Sequence, residues 1–123
     1  GTCLDTGHAR LAGDVYRVMY KLSGHLQLIH ASDNYGNRDD HLPPGKGIID
    51  WGRVLGSAAR MGFHGGIILE LAGHEDVPNK ERLREARQAR WYLRDIMRRL
   101  DLHTPPTVEN TTEWRGDDVS MAE

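Results

Sequence analysis

The 123-residue chain has a single cysteine, Cys3, so no internal disulfide framework can staple it, and a reducing compartment is the expectation. Cys3 itself reads as a small buried strand residue. No apolar run approaches the ~18 residues of a membrane-spanning helix, and no charged-then-apolar leader opens the chain. A soluble, cytoplasmic protein with no membrane partner is expected. Charge of one sign is also missing: 16 basic side chains stand against 18 acidic ones, for a formal net charge of −2. That balance advertises neither nucleic acid nor an anionic membrane as partner, so a polyanion would have to be met locally. Internal repeats and low-complexity tracts are absent too.

What is present fits one domain, since single domains commonly run to ~100–150 residues. Residues 2–6 are short, apolar and β-branched and predict a strand, followed by a turn at Gly7. From Asp14, the residues Val15, Val18, Met19 and Leu22 fall at helical spacing, and Ser23-Gly24 stops the helix. A second strand is predicted over 25–30, ended by the polar run Ser32-Asp33-Asn34. A long loop follows, whose Pro43, Pro44, Gly45 and Gly47 forbid regular structure; such loops tend to carry function. Asp50 stands where an N-cap belongs, ahead of an apolar stripe from Trp51 to Met61 that Gly62 closes. Residues 65–71 form a continuous apolar run of the kind buried on both faces of a parallel sheet, interrupted by Glu70. An amphipathic helix over 79–101 is marked by Leu83, Ala86, Leu93, Met97 and Leu100. The tail from 102 to 123 has no periodicity and reads as an irregular extension.

Strand and helix alternate three times, which implies βαβ units and a parallel α/β sheet. Three units amount to ~80–100 residues, well short of the ~250 of a full (β/α)8 barrel, so a barrel would be partial, with residues 1–101 as its C-terminal portion. The abrupt start, without a polar lead-in, reads like a cut made inside a domain.

Each predicted strand ends on a metal-competent side chain: Asp5, His30 and Glu70. In parallel α/β folds that is the active-site edge. Taken singly, Asp5 could be a cap, His30 a core histidine and Glu70 the partner of an arginine. Taken together, three such groups at the ends of apolar strands suggest a shared cation, because each alone would cost several kcal/mol to bury. Mixed Asp, His and Glu ligation suits Mn2+, Mg2+, Co2+ or Zn2+ and does not choose among them. His8 follows Asp5 closely enough to donate to a substrate or to ligate a second metal; the alternative is a solvent-facing loop histidine. In the long loop, Arg38, Asp39, Asp40 and His41 are candidates for substrate or metal contacts, or simply an Asp-rich turn. Lys46 could meet a phosphate or stand exposed. Gly45-Lys46 is not a P-loop, since the signature's earlier glycine is missing.

The segments Cys-Leu-Asp-Thr-Gly-His-Ala (3–9), Ile-His-Ala-Ser-Asp-Asn (29–34), Asp-Asp-His-Leu-Pro-Pro-Gly-Lys-Gly (39–47) with Ile49-Asp50-Trp51, and Ile-Leu-Glu-Leu (68–71) together resemble the xylose isomerase-like barrels. The resemblance runs over about residues 1 to 100 and is nearest to sugar phosphate isomerases and epimerases. It implies a metal held by Glu, Asp, His and Glu from the last four strands, carried over here to Asp5, His30 and Glu70. The first Glu has no counterpart in this chain. The implied reaction is reversible proton transfer beside a sugar carbonyl through an enediolate, with Glu70 moving the proton and His8 contacting substrate hydroxyls. Arg38, Asp40, His41 and Lys46 are the remaining expected substrate contacts, and a sugar or sugar phosphate the expected ligand.

Endonuclease IV-type apurinic nucleases also resemble the pattern of Asp5, His8, His30 and Glu70, and their Asp-x-His loop pair has the spacing of Asp39 and His41. The Pro-Pro-Gly-Lys-Gly run, Asp50-Trp51 and the missing positive charge favour the sugar branch. A third alternative is a non-catalytic fragment whose open sheet edges are covered by self-association as a homo-oligomer, or by a missing N-terminal half.

Overall fold

The computed structural model describes residues 1–73 and 75–100, so the expected tail and the end of the last helix at Asp101 lie outside the described residues. Three strands, β1 (Thr2–Asp5), β2 (Leu26–Ala31) and β3 (Gly66–Leu69), form one parallel sheet in the order β1-β2-β3. Register pairs Leu4 with Ile29, Asp5 with His30, and His30 with Ile68, which brings the C-terminal ends of the strands level. The helices are α1 (Thr6–Leu11), α2 (Val15–Lys21), α3 (Trp51–Arg60) and α4 (Asn79–Arg99). None is long and apolar enough to cross a membrane.

Side chains alternate across a strand, and here the two faces of the sheet have different fates. Leu4, Ile29 and Ala31 face the helices. They are buried with Val15 and Met19 of α2, Trp51, Val54, Leu55 and Ala58 of α3, and Leu93 of α4, while Ile67 and Leu69 pack against the same core. The opposite face presents Cys3, Asp5, Leu28, His30 and Ile68. Cys3 is exposed, not buried as expected. Ile68 is 50% exposed, so β3 is not covered on both sides either. Among the described residues no element packs over that face.

One helix was not anticipated. The turn expected at Gly7 is instead the first turn of α1, capped by Asp5, whose carboxylate accepts the His8 N–H at 2.8 Å. Gly7 is buried, and a Cβ there would lie 2.7 Å from Ser32 Oγ, so α1 sits directly on the end of β2. At α3 the expected cap is present: the Asp50 carboxylate accepts the Arg53 N–H at 3.0 Å.

Ile29→Ala would empty a fully buried position and is expected to cost about 3 kcal/mol, whereas Ile68→Ala on the open face should cost less than about 1 kcal/mol. Urea denaturation of the full chain checks both. Comparable losses would mean that the second face is covered in solution.

Candidate metal centre and its neighbouring histidine cluster

Asp5 closes β1, His30 stands one residue before the end of β2, and Glu70 follows β3 directly, its N–H continuing the ladder to the Ala31 carbonyl at 3.1 Å. Parallel register therefore gathers the three at one sheet edge. Each offers a ligand atom, and these atoms all lie within 4.8 Å of one another. His30 Nδ1 is 2.9 Å from a Glu70 carboxylate oxygen. The side chains are neither sealed in nor fully solvated, at 21% exposure for Asp5, 36% for His30 and 46% for Glu70. Nitrogen and carboxylate oxygen donors at this separation fit a divalent cation.

A second cluster stands beside the first. His8, on α1, places Nε2 2.8 Å from an Asp39 carboxylate oxygen, and His41 Nε2 lies 3.0 Å from the same oxygen. The two imidazoles meet edge to face with centroids 6.2 Å apart. Their ligand atoms and that of Asp39 also lie within 4.8 Å of one another. His41 has a left-handed backbone (φ 48°), a conformation costing on the order of 1 kcal/mol for a residue with a Cβ. Its Nδ1 is 3.3 Å from the Glu70 carbonyl. Donation there leaves Nε2 as the nitrogen that faces Asp39, the arrangement that orients metal-binding histidines. His8 Nδ1 in turn lies 3.4 Å from Asp5, so the clusters are adjoining.

The remaining candidates are distributed differently. The Arg38 guanidinium, 82% exposed, pairs with the Asp40 carboxylate, which is only 7% exposed and turned into the loop. Lys46 lines a cleft with Pro43, Pro44, Glu85, Gln88 and Tyr92 against α4, and belongs to neither metal-competent group. Two residues that the strand and loop patterns did not single out hold the loop: Asp33 and Asn34, both fully buried. Their only sequence signal was an acid and an amide standing directly after an apolar strand.

Electrostatics follows from the pairing. The hydrogen bond to Asp39, with the charge of Asp5 behind it, raises the His8 imidazolium above its ordinary value. At His41 burial pushes downward, but the Glu70 carbonyl and Asp39 outweigh it and the net shift is upward. For Asp39 desolvation pushes upward, and His8 and His41 together outweigh that and hold the carboxyl below its usual value.

The fold and these clusters define a class. The chain belongs to the xylose isomerase-like TIM-barrel family, whose model matches residues 1–96. It is a partial barrel of α/β class with three parallel strands. Over 89 residues it is 36% identical to an uncharacterised protein of Methanocaldococcus jannaschii, covering 69% of this chain and 30% of that protein. An uncharacterised protein of Sinorhizobium fredii is 33% identical over 64 residues, 51% of this chain and 21% of the relative. Among solved structures, a D-tagatose 3-epimerase-like protein superposes with a TM-score of 0.70 at 28% identity, over 82% of this chain and 36% of the other. The chain thus spans about a third or less of the length of these relatives.

The sign of the pH dependence is set by the shifts. His8 and His41, raised in the folded state, stabilise the metal-free fold fully below about 6.5 and lose that contribution as pH rises through their folded values. Asp39, depressed, stabilises above about 3.8 and loses its contribution as pH falls through its folded value. The urea midpoint of the metal-free chain is therefore expected to decline as pH climbs above about 6.5, and Asp39→Ala should reduce that decline, leaving the part due to Asp5 and Glu70. A decline of undiminished size in the variant would place its origin in other groups.

Proposed function

We propose that the chain supplies the Asp, His and second Glu ligands of a divalent-metal centre in a sugar or sugar-phosphate isomerase or epimerase. The observation that carries this reading is the convergence of Asp5, His30 and Glu70 from three neighbouring parallel strands, with ligand atoms within 4.8 Å. The epimerase-like structural neighbour supports the sugar class, and the donor set suits Mn2+, Mg2+, Co2+ or Zn2+. A divalent ion held there would polarise a substrate carbonyl and the hydroxyl beside it.

The chain's own groups then divide the work. Glu70 takes the proton from the carbon next to the carbonyl and, for isomerisation, returns it to the neighbouring carbon; for epimerisation the proton delivered to the opposite face comes from its partner acid. His8, its pKa raised by Asp39, stays charged further up the pH scale and donates a hydrogen bond to a substrate oxygen. Arg38, exposed at the loop surface, and Lys46, in its cleft beside α4, are the cations available to a phosphate. Asp40 and His41 shape the loop that borders the substrate. The fourth ligand, a Glu, and the partner of Glu70 in proton transfer would come from outside this chain, as would whatever covers the open face, whether further strands or a second copy. A cytoplasmic location fits a sugar-phosphate substrate.

One observation favours a second reading. His8, Asp39 and His41 form a further metal-competent group, which an endonuclease IV-type apurinic nuclease would use for an additional zinc. The net charge of −2 argues against a DNA partner.

Calorimetric titration with Mn2+, Co2+ and Zn2+ tests both. One equivalent bound, with affinity falling about 10–100-fold or more in Glu70→Gln, is expected for the sugar centre, and ketoses and their phosphates are then the substrates to assay. Two or more zinc ions per chain, the second lost in Asp39→Ala, would promote the nuclease, with cleavage of an abasic duplex as its readout. No binding by either protein would sink the metal reading for this chain.

A further inference from the structure

Beneath the two clusters lies a polar group that touches neither. Ser32, Asp33 and Asn34 have no exposed surface. One Asp33 carboxylate oxygen accepts the N–H groups of Asn34 at 2.9 Å and Ile49 at 3.1 Å. The other accepts the Gly45 N–H at 3.1 Å and the Trp51 indole N–H at 2.8 Å. All four donors are neutral. An apolar side chain in place of the carboxylate would leave those four donors unmet in the interior, at about 1–3 kcal/mol each, so the carboxylate contributes to stability. It also fixes geometry, since it ties residues 45, 49 and 51 to the end of β2.

Asn34 reaches the other way. Its side-chain amide donates to the Gly7 carbonyl of α1 at 3.0 Å, while its side-chain oxygen accepts the Gly36 N–H at 2.9 Å and its backbone carbonyl accepts the Ile48 N–H at 2.9 Å. The backbone of Asp33 adds a two-bond bridge to Leu42, the residue after His41. The space is closed to variation at Gly47, where a Cβ would lie 2.3 Å from both the Asn34 carbonyl and an Asp33 carboxylate oxygen. One pair thus holds α1, which carries His8, and both arms of the loop that carries Asp39 and His41.

We propose that the buried Asp33–Asn34 pair is a positioning element that sets the separation of His8 from Asp39 and His41, and thereby the shape of the second cluster, without touching a ligand. The proposal rests on the geometry of that cluster and not on a metal being bound there.

The test is nuclear Overhauser contact between the His8 and His41 rings in the metal-free full chain, with the contact between the His30 ring and the Ile68 methyls as internal reference on the sheet. In Asp33→Asn, which turns one acceptor into a donor facing N–H groups, and in Asn34→Ala, the His8–His41 contact is expected to be lost and the His30–Ile68 contact retained. Zn2+ affinity of the second cluster should fall about 10–100-fold while that of Asp5, His30 and Glu70 stays within about twofold. An unchanged His8–His41 contact, or the loss of both contacts together, overturns the proposal. If either variant fails to fold, Trp51→Phe decides, since it removes one donor; a weakened His8–His41 contact supports the proposal and an unaltered one overturns it. Wild type that shows the ring contact but binds no Zn2+ would remove the metal reading and leave the positioning role standing.

Discussion

A carboxylate with no exposed surface holds together parts of the chain that the sheet alone would leave apart. Asp33 follows the last residue of β2 by two positions, and its four N–H partners lie at residues 34, 45, 49 and 51. Charged acceptors make the stronger hydrogen bonds, and leaving any of those donors unmet in the interior would cost about 1–3 kcal/mol each. The course of the loop between β2 and α3 depends on this group, and the positions of Asp39 and His41 depend on the loop. The glycines nearby are consequences of the same packing: Gly47 because nothing larger fits against Asp33 and Asn34, and Gly45 because its φ of +94° turns the backbone back toward the carboxylate beneath Tyr92.

The sheet has one covered face and one open face, and the candidate metal centre stands on the open one. Leu28 and Ile68 are drawn from the same alternation that presents Asp5, His30 and Glu70, so an apolar strip adjoins a polar, metal-competent edge. In a closed barrel the face opposite the helices is the interior. The described chain supplies three strands, and its match covers 30% of the Methanocaldococcus relative and 36% of the epimerase-like structure. Among the described residues the candidate site is open on that face, in line with the partial exposure of all three side chains.

The two clusters have no ligand residue in common, yet Asp5 and Glu70 each also touch the second one. Asp5 caps α1 through the His8 N–H and also places an oxygen within 4.8 Å of the ligand atoms of His30 and Glu70. Glu70 contributes its carboxylate to the first cluster and its backbone carbonyl to the imidazole of His41. A change at Asp5 reaches both clusters through its side chain, whereas Glu70 joins the second one by a backbone carbonyl that a substitution leaves in place. Functional arrangements on α/β folds are built in this way from the ends of several strands and the loops that follow them.

How much of this was legible in the sequence follows from the physics of each feature. Three strands, the helices now α2, α3 and α4, the Asp50 cap and the strand-end positions of Asp5, His30 and Glu70 follow from local rules, since hydrophobic period, capping chemistry and Gly or Pro placement act over a few residues. Helix α1 was not legible, because a six-residue helix over a glycine depends on packing against Ser32 and on a cap that doubles as a candidate ligand. Exposure of Cys3 and Ile68 was not legible either: alternation tells which side chains share a face, and whether anything packs over that face is a long-range fact. The same limit applies to Asp33, whose significance lies in donors up to 18 residues away that converge on it after folding. Local pattern was enough for the elements and the chemistry at their ends; packing across the chain chose which of those groups meet, since hydrogen bonding and burial join residues by distance in space and not along the sequence.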